Sequence, residues 1–194
     1  MYRQIKRIKI IIKIVQLIIL QKKITEDITI NEGTFESTSQ NENTISVNGG
    51  VTVTLSNISV TKTGDSDGGN NTSFYGTNSA IITKSGANLT LENISVKTNA
   101  AGANGVFSYG VSAATNNSSS DGTTITISDS SITTLKDNSG GIMTTGGGNM
   151  NVYNLTINTS GTSSAAIRTD RGGGTVTVEG GTHTTFLYIT LYLS

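Results

Sequence analysis

The residues best equipped for chemistry lie in two short runs. One is Arg168-Thr169-Asp170-Arg171. Two guanidinium groups beside a carboxylate can hold a sugar hydroxyl or an acidic ligand through paired hydrogen bonds. Tyr109 falls near the same corner in the repeat described below, and would add an aromatic face. Arg168, Asp170, Arg171 and Tyr109 are therefore the candidate ligand-binding residues. The competing reading of the run is an exposed ion pair between neighbours, worth about 0–1 kcal/mol. The other run is Asp65-Ser66-Asp67-Gly68-Gly69-Asn70-Asn71. Asp65, Asp67 and Asn70 offer hard oxygen donors at close spacing, the chemistry calcium uses. No Glu closes the run as in an EF-hand, and D-x-D-G strings also form plain turns. His183 is the sole histidine. With no acid paired to it, it is expected to pack inward near the end of the fold rather than to move protons.

An enzyme needs more than these. Glycoside hydrolysis needs two facing carboxylates, and proton abstraction needs a placed base. The acidic residues here are scattered, with no two or three aligned on neighbouring repeats. No catalytic residue is assigned, and no cofactor is expected apart from the calcium option.

Composition describes the elements that must position such residues. Charged residues make up 13% of the 194, against about 25% in ordinary globular chains. Thr, Ser, Asn and 23 Gly take their place, with no Pro, Trp or Cys. Ile, Val and Thr favour strands, whereas Gly and Asn favour turns. Net charge is zero, which argues against a nucleic-acid partner. The absence of Cys excludes disulfides and thiolate metal sites.

The pattern that organises the chain is a repeat. Its apolar pairs are Ile28/Ile30, Val53/Leu55, Leu89/Leu91, Ile125/Ile127, Met150/Val152 and Val176/Val178, spaced by 25, 36, 36, 25 and 26 residues. Seven residues after each pair begins stand Phe35, Val60, Val96, Ile132, Ile157 and His183. A third apolar position holds Ile45, Ile81, Val106, Ile142 and Ile167. Between the first two positions runs a polar column, Glu32, Asn57, Asn93, Asp129, Asn154 and Gly180, expected to serve the turn. Each long spacing contains an insertion. One lies near Asp65–Gly76 and the other near Gly110–Ser120, and loops leaving a rigid scaffold commonly carry function.

Three short strands in about 25 residues predict one coil of a right-handed parallel β-helix, with alternate side chains pointing inward. The expected fold class is all-β, a solenoid of about six coils and roughly 30 Å long. That is short for the architecture and suggests a fragment of a longer one. Residues 1–23 form a basic and apolar segment outside the repeat, residues 24–185 the solenoid, and residues 186–194 an atypical apolar tail. The first segment resembles a secretory signal, although Lys13 interrupts its apolar run and no small-x-small site precedes Ile24. An amphipathic cap and a wrongly placed start are the alternatives. Membrane contact, if any, belongs to this segment alone.

Several runs together resemble large secreted, adhesin-like β-helix proteins of gut-type anaerobic bacteria, grouped with the pectate-lyase-like β-helices. They are residues 53–66 (V-T-L-S-N-I-S-V-T-K-T-G-D-S), 74–80 (F-Y-G-T-N-S-A), 102–110 (G-A-N-G-V-F-S-Y-G), 138–148 (N-S-G-G-I-M-T-T-G-G-G) and 163–178 (S-S-A-A-I-R-T-D-R-G-G-G-T-V-T-V). The resemblance implies the fold and an extracellular or cell-surface location. The expected function is a noncatalytic scaffold that binds polysaccharide or host-surface glycan through shallow polar faces and inserted loops. A polysaccharide lyase-like enzyme using Arg168, Asp170 and Arg171 is the runner-up, and a structural spacer is the third reading.

Overall fold

The computed structural model describes residues 18–20, 22–110 and 120–186. The first 17 residues, most of the second insertion (residues 111–119) and the tail from residue 187 lie outside the described residues, and with them most of the signal-like segment. The described chain is an all-β fold of parallel strands, with one short helix at Gly69–Ser73. No helix among the described residues is long and apolar enough to cross a membrane.

The strands fall into three series. The first holds Ile28–Ile30, Thr52–Ser56, Asn88–Glu92 and Thr124–Ser128. The second holds Ile18–Leu20, Gly33–Ser37, Ile58–Lys62, Ser95–Thr98 and Ser131–Thr134. The long strands Gly148–Ser160 and Gly174–Phe186 run through both series and join them into one 11-stranded sheet. The third is a separate six-stranded sheet of Lys22–Ile24, Ile45–Asn48, Ile81–Lys84, Val106–Tyr109, Ile142–Thr145 and Ile167–Thr169.

The register follows the sequence repeat. Ile28 pairs with Val53, Val53 with Leu89, Leu89 with Ile125, Ile125 with Met150, and Met150 with Val176. Phe35, Val60, Val96, Ile132, Ile157 and His183 likewise stack in one line. So do Ile45, Ile81, Val106, Ile142 and Ile167. Stacking like on like buries these side chains in one core, from Ile24 to Ala166. Ile28, Ile30, Ile167 and Val176 are only partly buried against it. The stacking also extends earlier than residue 24. Ile18–Leu20 pairs with Thr34–Glu36, and Lys22 takes the place beside Ile45 that apolar residues take elsewhere.

Two features depart from simple alternation. In three strands of the third series both faces are covered. Ile82, Phe107 and Met143 point away from the main core, yet all are buried in a second small cluster, with Tyr109 packed against it. The cover is the first insertion. Gly76 lies so close that a Cβ there would meet Ile82 and the Phe107 ring at 2.8 Å, and its φ of 68° suits glycine. Second, the inward line that closes the second strands is polar: Ser37, Lys62, Thr98, Thr134 and Thr159, all buried. Thr134 and Thr159 donate to the carbonyls of Ser139 and Ser164, so the line holds the next turn in place.

Candidate functional site

The corner between first and second strands is built by the polar column. Asn57, Asn93, Asp129 and Asn154 adopt φ of 52°, 50°, 47° and 48°. Left-handed backbone is costly for most side chains and least so for Asn and Asp, while Gly180 takes the place in the last repeat. Their backbone N–H groups donate to the next repeat, Asn57 to Glu92 O (3.1 Å), Asn93 to Ser128 O (3.2 Å) and Asp129 to Tyr153 O (3.1 Å). The side chains stay exposed and bond along the stack. Asn93 Nδ2 donates to Asn57 Oδ1 (2.7 Å) and Asn154 Nδ2 to Asp129 Oδ1 (2.8 Å). In the first repeat the partner is not Glu32 but the Asn31 carbonyl, which accepts from Asn57 Nδ2 at 3.2 Å.

Beside the column stand Ser59, Ser95, Ser131 and Thr156, which share one register line. The two lines border an open groove of about 440 Å³, with Ile58, Ile94 and Ser130 on its floor. Amides and one carboxylate form one wall and hydroxyls the other, so the groove offers both donors and acceptors at each repeat. The sequence makes the column legible as a turn device. Its hydroxyl partner line could have been found as the outward position two residues after each Asn or Asp.

The Arg168 run lies elsewhere, at the end of the third series. Arg168 Nη2 lies 3.4 Å from Asp170 Oδ2, and its Nη1 donates to Ser163 O at 3.3 Å. Asp170 Oδ1 accepts the Arg171 N–H at 2.8 Å. Arg171 leaves that pair and stacks on Phe74, 4.2 Å from the ring centroid. Tyr109 meets Tyr75 edge-on at 5.8 Å. Burial, then Tyr75 and Asp121, raise the Tyr109 hydroxyl above its ordinary pKa. Arg168 and Asp170 are thus brought together, but Arg171 and Tyr109 each join the first insertion. Phe74 and Tyr75, which the repeat pattern does not single out as partners, link them to it. A surface hollow beside Arg168 is formed with Gly161, Ser163, Ser164, Ala165 and Thr185.

The Asp65–Asn71 run is divided among structural tasks. Asp65 Oδ1 accepts from Ala101 N at 2.8 Å, as Asp137 Oδ1 accepts from Thr162 N at 2.7 Å further along the stack. Asp65 is therefore a turn clamp that the fold uses more than once. Asp67 is held through its N–H by Asn41 Oδ1 (3.0 Å) and borders a hollow of about 200 Å³. Asn70 lies in the short helix, where its carbonyl accepts from Phe74 N at 2.9 Å. Among the described residues no three His, Cys, Asp or Glu side chains are grouped to hold a metal.

Two further groups stand out. Lys62 is buried, and its Nζ donates to Ser39 O and Gly64 O, both at 2.6 Å. Burial lowers its pKa to about 8, with Glu42 and Asp65 pulling the other way. A lysine in a line of small hydroxyl residues was the available signal. His183 takes its expected place over Ile157, half-buried, with a buried Nε2 that has no hydrogen-bond partner among the described residues. Compared with known protein families, curated proteins and solved structures, the chain has no match.

Proposed function

We propose that the chain is a right-handed parallel β-helix serving as a noncatalytic, extracellular or cell-surface scaffold of the adhesin-like kind, which binds glycan along its polar faces. The observation that carries this reading is the groove over Asn57, Asn93, Asp129 and Asn154, open, polar and repeated at each step of the stack. A ligand lying there meets the same pair of walls at every strand spacing, about 4.8 Å. Each contact is weak, and affinity comes from their number. Such a surface suits a chain of neutral sugars better than a compact molecule that needs an enclosing pocket.

The test is retention on a glycan array, run alongside incubation with polygalacturonate with and without calcium. Binding of one or more neutral oligosaccharides without release of unsaturated product supports the scaffold. Turnover abolished by Arg168→Ala would replace it with a lyase. No retention and no turnover would leave a spacer.

A further inference from the structure

The corner column has a direction and a break. Asn57, Asn93 and Asn154 each send Nδ2 toward the preceding repeat, to Asn31 O, Asn57 Oδ1 and Asp129 Oδ1. The Asp129 side chain has no N–H to send to Asn93, and its backbone N–H goes to Tyr153 O. Asn93 Oδ1 and the Asp129 carboxylate are therefore neighbouring acceptors, on repeats whose strands run about 4.8 Å apart. No side-chain hydrogen bond joins them, whereas the junctions on both sides are closed by an amide. Both residues are exposed, as are Ser95 and Ser131 beside them, and all four line the groove.

We propose that this break is a saccharide subsite, in which a sugar hydroxyl donates to Asn93 Oδ1 and a neighbouring hydroxyl to the Asp129 carboxylate. The inference rests on the glycan-binding reading above and names where that binding is anchored. Two acceptors without a donor call for a ligand rich in O–H groups. Hydrogen bonds to the carboxylate are the strong ones of the set. Ser95 and Ser131 can both donate and accept, which matches the remaining hydroxyls of a pyranose. A divalent cation fits less well. It wants about six to eight oxygens, several of them charged, and Asp129 is the only carboxylate of the groove.

Asp129→Asn separates the outcomes, because it supplies the missing amide. The substituted side chain can donate to Asn93 Oδ1 and close the ladder, and Asn tolerates the left-handed corner. Wild type and Asp129→Asn are compared by neutral-oligosaccharide array, by titration with the retained sugar, and by thermal melting with and without calcium chloride. The expected result is a Tm equal to or above wild type together with at least a tenfold loss of sugar affinity. Sugar held equally by both proteins overturns the subsite and leaves the scaffold reading standing. No sugar held by wild type overturns both. A Tm of Asp129→Asn well below wild type overturns the broken ladder. A calcium-induced rise in Tm seen only with Asp129 makes the break a cation site instead.

Discussion

The corner groove and the insertion-covered face are built from the same repeat but differ in outcome. At the corner the left-handed turn recurs in five successive copies, and the result is an exposed line of amides, one carboxylate and hydroxyls. On the third series one copy is interrupted by the first insertion, and the result is a second apolar cluster. Sequence reasoning expects binding where copies break the rule, because inserted loops commonly carry function. Here the first insertion is largely a packing device. Phe74 O accepts from Thr145 Oγ1 at 2.7 Å, Tyr75 packs on Tyr109, and Arg171 covers Phe74. Regular repetition, by contrast, multiplies one shallow polar contact into an extended surface.

The largest expected effect tests the covered face. Phe107 is fully buried in the small cluster. Phe107→Ala should cost about 3–5 kcal/mol in denaturant unfolding. A loss below about 1 kcal/mol would mean that the insertion does not hold a second core. Next is Lys62, whose folded pKa is lowered to about 8 from the ordinary 10.5. Between those values the unfolded chain binds more protons, so stability should rise with pH across that window and level off above it. The full shift corresponds to about 3 kcal/mol. Lys62→Met should flatten the profile measured by urea titration at stepped pH, and an unchanged slope would assign it to another group.

A smaller effect tests the corner. Asn93→Ala removes the hydrogen bond from Asn93 Nδ2 to Asn57 Oδ1 and places alanine in the left-handed region, at about 1–2 kcal/mol. The same change at Asn99, exposed and outside the column, should be nearly silent. Equal losses at both would deny the column its special role. The smallest is Arg171→Ala, which removes the cation stacked on Phe74 at about 0.5–1 kcal/mol. Sugar retention should not change, and its loss would shift the binding surface to the third series.

Much of the stacking was legible because apolar positions recur at fixed offsets. Val53, Leu89, Ile125 and Met150 sit where their spacing puts them, and His183 follows Ile157 despite its different chemistry. The first insertion was not legible as a cover. Periodicity assigns an inward face, and Ile82, Phe107 and Met143 lie one residue out of phase with it. Two adjacent apolar residues in each of three copies was the trace they left. The groove was half legible. The Asn and Asp column announced a turn, but the direction of its amide bonds depends on three-dimensional contact. The fates of Asp65 and Arg171 were illegible for the same reason. Neither the Ala101 N–H nor the Phe74 ring is near them in sequence.

The first insertion also bears on how the molecule would yield to a pull on its ends. Most strands touch only the copy before and the copy after, so such a stack can come apart layer by layer. Each layer would release a set length of chain, about 85 Å for 25 residues and about 120 Å for 36. The insertion crosses that sequence of events. Gly76 presses on Ile82, Tyr75 on Tyr109, Phe74 holds Thr145, and Arg171 lies over Phe74. One loop thus spans three successive strands of the third series and reaches the turn that follows a fourth. It acts as a latch that must open before the layers beneath it can peel.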